Sequence, residues 1–242
     1  MTTRIAMWSG PRNLSTAFMR SFGNRADTAV SDEPFYGAYL KASSADAPMR
    51  EAVIASMDYD WANIARTLCG ATPGDAPVWY QKHMAHHMMG PVTPAQMPDF
   101  VHAFLIRDPA RVIASYVQRR ETVCAADLGY ARQRAFFDRE ADRLGHAPPV
   151  VDAAQVLARP AATLVRLCRA LGIAWDPAML HWEPGLRPTD GVWASHWYHT
   201  VLTSTGFAAA PEREVVLPGE CASAVDECLP DYRYLSEFII TA

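Results

Sequence analysis

Between residues 10 and 16 the chain reads Gly-Pro-Arg-Asn-Leu-Ser-Thr, a short polar stretch with one cation and two adjacent hydroxyls. An apolar run at 5–8 precedes it and Ala17-Phe18-Met19-Arg20 follows, so the pattern predicts a strand, a tight turn and a helix opening on Ser15 and Thr16. Such a junction aims backbone N–H groups and the positive end of the helix dipole at one spot, which suits a phosphate or sulfate. A second junction of this kind follows the apolar run at 101–106. There Arg107 is trailed by Asp108 as a cap and Pro109 in the first turn of a helix expected to run to about Arg120. Two residues beside predicted strand ends could take a proton: Glu33, in Asp32-Glu33-Pro34-Phe35-Tyr36, and His83, in Gln81-Lys82-His83-Met84.

The elements that must position these groups alternate along the chain. Short strands are predicted at 28–31, 77–83 and 148–152, together with the run at 101–106. Helical spacing of apolar residues covers 49–69, with Gly70 as a stop, and 160–171, with Gly172 as a stop, while 130–144 reads as an exposed charged helix. The stretch 181–206, rich in Trp, His, Gly and Pro, reads as an ordered loop. Strands separated by helices imply an α/β fold, a central parallel sheet flanked by helices on both faces. In such sheets ligands gather beyond the carboxyl ends of the strands, which places Gly10 to Thr16, Glu33, His83 and Arg107 at one edge.

Composition narrows the function. At 242 residues, half of them apolar, the chain can bury a core as a single domain over 1–242 without disulfides. A net charge of −4 argues against a general nucleic-acid or membrane-surface binder, so an anion site must be local. The five cysteines form no C-x-x-C pair, which fits neither a disulfide framework nor a zinc ribbon and favours a reducing compartment. No apolar run approaches a membrane span and no signal-peptide pattern opens the chain, so a soluble, cytoplasmic protein is expected. His83, His86 and His87 lack a carboxylate or cysteine at ligand spacing, and no metal is expected. Met84, Met88 and Met89 read as an adaptable apolar wall, and Trp182, Trp193, Trp197 and Tyr198 as either a pocket roof or core.

The phosphate-loop pattern G-x-x-x-x-G-K-[ST] is absent, because no lysine stands before Ser15-Thr16 and Leu14 occupies the place of the second glycine. Instead Pro11-Arg12-Asn13-Leu14-Ser15-Thr16 is similar to the 5′-phosphosulfate loop of the sulfotransferases that use 3′-phosphoadenosine 5′-phosphosulfate (PAPS), written Pro-(Lys/Arg)-Ser-Gly-(Ser/Thr)-Thr. Arg107, with Ser115 eight residues on, resembles that family's 3′-phosphate signature. The segment at 150–160, followed by Leu164, Leu167, Leu171-Gly172 and Asp176-Pro177, resembles the strand, turn and helix that come next in bacterial members. Leu14 departs from the pattern. So does 187–193, which stands where many members carry a basic Arg-Lys-Gly segment.

The resemblance implies a P-loop-like sulfotransferase fold and transfer of a sulfonate from PAPS to a hydroxyl, with an amine as second choice, of a small-molecule acceptor. It assigns Gly10, Pro11, Arg12, Asn13, Leu14, Ser15 and Thr16 to the 5′-phosphosulfate, Arg107 and Ser115 to the 3′-phosphate, and Arg12 to the leaving group. The catalytic base is left open between Glu33 and His83. No nucleic-acid or membrane partner is expected, and the oligomeric state is open, a homodimer included. An atypical P-loop kinase and a non-catalytic nucleotide- or partner-binding protein on the same fold are the competing readings.

Overall fold

A computed structural model describes residues 2–45, 47–117, 123–208, 215, 217 and 219–240. Among them five strands, β1 (Thr3–Ser9), β2 (Thr28–Asp32), β3 (Val78–Met84), β4 (Phe100–Ile106) and β5 (Val150–Asp152), form one parallel sheet in the order β2-β3-β1-β4-β5. The first half of the chain supplies helices α1 (Ser15–Gly23), α2 (Tyr36–Ala42), α3 (Arg50–Ser56), α4 (Trp61–Cys69) and α5 (Pro109–Tyr116). The second half adds α6 (Ala125–Leu128), α7 (Tyr130–Leu144), α8 (Ala153–Ala158), α9 (Pro160–Ala170), α10 (Ala194–Trp197), α11 (His199–Leu202) and α12 (Ala222–Ser236).

Alternate residues of β1 serve two cores. Ile5 and Met7 pack with Phe18 and Phe22 of α1 and Leu164 and Leu167 of α9. Ala6 and Trp8 pack on the other face with Ile64 and Leu68 of α4, Phe136 and Phe137 of α7 and Leu235 of α12. A strand covered on both faces reads as a continuous apolar run, which is why 5–8 and 101–106 stand out in the sequence.

The structure corrects three expectations and adds one element. The helix expected over 49–69 is two, α3 and α4, because the Asp60 carboxylate accepts from Asn63 N at 2.7 Å and starts a new helix there. The helix α7 is half-buried rather than exposed: Phe136, Phe137, Gln133 and Glu140 face inward among its charges. The stretch 181–206 carries α10 and α11 as well as an isolated bridge between His181 and Gly206. The C-terminal α12, unexpected from the sequence, has Pro230 in its interior, and its apolar residues Ala224, Cys228 and Leu235 bury against α5, α7 and the sheet edge. The end of the helix expected to reach Arg120 lies outside the described residues. No helix among the described residues is long and apolar enough to cross a membrane.

Candidate functional site

The turn from β1 to α1 is bent at two non-glycine residues. Arg12 and Leu14 have φ of 55° and 57°, the left-handed region, which costs an L-residue roughly 1–3 kcal/mol. Leu14 thus holds the conformation that a glycine would adopt more cheaply, while its side chain packs against the first core. No side chain caps α1, so its first N–H groups are left to an external acceptor. Gly10 sits beneath the turn, where an added Cβ would stand 2.5 Å from the Leu128 carbonyl oxygen. Asn13 ties the turn to β4 by donating from Nδ2 to the Leu105 carbonyl at 2.6 Å.

The second junction meets the first here. Arg107 donates from Nη1 to the Arg12 carbonyl at 2.7 Å, and Arg12 donates from Nε to Ser115 Oγ at 3.0 Å. Asp108, whose carboxylate a salt bridge from Arg107 could have used, caps α5 by accepting from Arg111 N. Burial, with Arg111 adding like charge, pushes the Arg107 guanidinium below its ordinary value. An anion bound beside it would offset that cost.

A cavity of about 460 Å³ opens over these groups. Pro11 to Ala17, Arg107, Ser115 and Leu157 line it together with Glu33, Tyr36, Tyr39, Lys82, His86, His87 and Trp197. The volume falls within the range of small-molecule and cofactor sites. The sequence-derived candidates Pro11, Arg12, Asn13, Leu14, Ser15, Thr16, Glu33, Arg107 and Ser115 therefore share one space, with Gly10 supporting it from below.

His83 does not join them. The strand β3 runs on to Met84, and its side chains alternate, so Lys82 and Met84 reach the cavity while His83 points to the opposite face. There it stacks on Trp8, with ring centroids 4.6 Å apart, and shares a hydrogen bond with Gln81. Burial pushes its pKa down to about 3.

Lys82 is the residue that the sequence undersold. Its buried ammonium donates to Glu33 Oε1 at 2.6 Å, to Asp32 Oδ1 at 3.0 Å and to the Tyr198 hydroxyl at 2.6 Å. Two carboxylates around one cation hold Lys82 above its ordinary value despite burial. Burial pushes Glu33 up, opposed by Lys82. Glu33 also has φ of 44°, the third strained residue on the cavity wall. Asp32 accepts further bonds from the Tyr198 hydroxyl and Gly191 N, and Trp193 Nε1 donates to Tyr198. Arg20 of α1 makes a bidentate pair with Asp190, 2.6 Å on each oxygen. Thus the segment in place of the Arg-Lys-Gly motif is clamped onto the site by buried charge. Of the four aromatic candidates, Trp197 and Tyr198 line the cavity, whereas Trp182 and Trp193 are core. Met84 lines the cavity, Met88 is in the second core and Met89 is exposed.

A family model described as a sulfotransferase domain matches residues 3–233. Two Arabidopsis thaliana proteins, branched-chain-amino-acid aminotransferase-like proteins 2 and 1, are each 32% identical over 96% and 97% of this chain. The matches cover 41% and 42% of those relatives, so the chain spans less than half of their length. Among solved structures, the sulfotransferase domain from the curacin biosynthetic pathway superposes with a TM-score of 0.58 at 16% identity, covering 96% of this chain and 98% of that one. A sulfotransferase from Alicyclobacillus acidocaldarius gives 0.58 at 15% identity, covering 99% and 96%. Likeness at that identity speaks for the fold, and the family match over nearly the whole chain speaks for the lineage: this chain belongs to the sulfotransferase domain family.

Proposed function

We propose that the protein transfers a sulfonate from PAPS to a hydroxyl of a small-molecule acceptor. The observation that carries this reading is the linkage of Arg107, Arg12 and Ser115 across two strand–helix junctions 95 residues apart. One junction offers uncapped helix N–H groups and the other a desolvated arginine, a fit for an adenosine carrying phosphate on both its 5′ and 3′ sides.

PAPS supplies the sulfonate on a mixed anhydride whose leaving group is the 5′-phosphate. The N–H groups and hydroxyls of Ser15 and Thr16 hold the 5′ end, with Gly10, Pro11, Asn13 and Leu14 shaping the loop. Arg12 neutralises charge that develops on the leaving phosphate, and Arg107 with Ser115 holds the 3′-phosphate. Transfer through a loose transition state asks the protein for alignment and charge neutralisation above all. The proton released by the acceptor needs a base within reach, and of the two sequence candidates Glu33 is the one on the cavity wall.

Incubation with radiolabelled PAPS and a panel of phenols, alkanols and amines tests the reading. Labelled product with release of 3′-phosphoadenosine 5′-phosphate is the expected result. Magnesium-dependent ATP turnover without binding of that product nucleotide would assign the chain to the kinases instead. Tight nucleotide binding with no transfer would leave a non-catalytic binder.

A further inference from the structure

The cavity contains a histidine that the sequence raises only as a metal ligand, and rejects as one. His87 lines the cavity, is 3% exposed, and its Nδ1 is buried with no hydrogen-bond partner. That nitrogen lies 3.9 Å from Glu33 Oε2. The other carboxylate oxygen, Oε1, is taken by Lys82 at 2.6 Å. The imidazole stacks on Tyr36 and on Tyr39, with centroids 4.5 and 4.7 Å away and ring planes 1° and 21° from its own, while the two tyrosine centroids lie 6.3 Å from each other. The two stacking contacts orient the ring, Lys82 fixes the carboxylate, and one polar contact is left unclosed.

Resting on the sulfotransferase reading, we propose that Glu33 and His87 act as a carboxylate–imidazole pair in which His87 Nε2 takes the acceptor's proton and Glu33 is the positioning residue. A buried N–H without an acceptor is costly, and catalytic hydrogen bonds are often long before substrate binds. Closing the 3.9 Å gap puts the proton of the neutral ring on Nδ1, donated to Glu33 Oε2, and leaves Nε2 as the accepting nitrogen. In the transfer step His87 Nε2 receives the hydroxyl proton while the acceptor oxygen bonds to sulfur. The bond from sulfur to the bridging oxygen breaks, and its electron pair leaves on the 5′-phosphate. The imidazolium so formed faces the Glu33 carboxylate, the same division of labour as in a hydrolase triad. Burial, with the Lys82 ammonium nearby, pushes His87 well below its ordinary value, so the ring rests neutral.

Nitrogen-15 NMR of histidine-labelled protein, free and saturated with 3′-phosphoadenosine 5′-phosphate, tests the pair without knowledge of the acceptor. His87→Phe, which keeps a flat ring against the tyrosines, assigns the signal by its loss; should that variant not fold, contacts between the His87 and tyrosine ring protons assign it. The expected wild-type signal is that of a neutral ring protonated at Nδ1. In Glu33→Gln the amide oxygen must face Lys82, its NH₂ then meets His87 Nδ1, and the tautomer should switch to Nε2–H. An Nε2–H tautomer in the wild type, or no switch in Glu33→Gln, would overturn the pair. Failure of the nucleotide to bind would overturn the sulfotransferase reading instead, and the tautomer of the free protein would still decide the arrangement of Glu33 and His87.

Discussion

Lys82 and His83 are neighbours in sequence, yet one is bound into the cavity wall and the other into the opposite core. Side chains alternate across a strand, so the polar pair near its end divides between the two faces, and position along the chain alone does not say which residue meets the cavity. Types and spacing made Arg12, Ser15, Thr16, Arg107 and Ser115 legible. The pairing of Lys82 with Glu33 and Asp32 was not, because it depends on the distance between two strand ends. His83 carries its own prediction. Its folded pKa of about 3 lies below the ordinary 6.5, so on acidification the unfolded chain takes a proton that the folded protein refuses. Stability therefore falls as pH drops from 6.5 toward 3, by at most about 1.4 kcal/mol per pH unit from this group, with buried His87 and His102 acting in the same direction. Urea unfolding of His83→Gln should show a shallower loss of stability between pH 6.5 and 4 than the wild type; equal slopes would contradict the assignment of a buried neutral imidazole.

At the scale of elements, the sheet strands and the two strand–helix junctions follow from short-range pattern, since apolar runs and caps are local signals. The break at Asp60 and the helix α12 were not legible for different reasons. An acidic cap competes with a continuing apolar stripe, and α12 is stabilised by what it covers rather than by its own periodicity. The segment 185–198 is held by the Arg20–Asp190 pair and by hydrogen bonds from Gly191 N and the Tyr198 hydroxyl to Asp32, contacts that no sequence window contains. Its clamp is testable through Asp190→Ala, which leaves the buried Arg20 guanidinium without its partner. Breaking a buried pair costs about 3–5 kcal/mol, so the midpoint of thermal unfolding should fall by several degrees or more. An unchanged midpoint would show that the Arg20–Asp190 pair does not fasten the loop.

Across the whole molecule, a net charge of −4 coexists with Arg12, Arg107 and Lys82 gathered at the carboxyl edge of one sheet. Parallel order β2-β3-β1-β4-β5 brings the ends of β1 and β4 side by side, and that adjacency turns two separate arginine motifs into one clamp. The most direct measurement of this claim is calorimetric titration with 3′-phosphoadenosine 5′-phosphate and with adenosine 5′-phosphate, which lacks the 3′ group. The wild type should favour the bisphosphate by about 1.5–3 kcal/mol, the worth of a hydrogen bond to a charged group, and Arg107→Ala should erase the difference. Equal affinity of the wild type for both nucleotides would contradict the two-ended clamp.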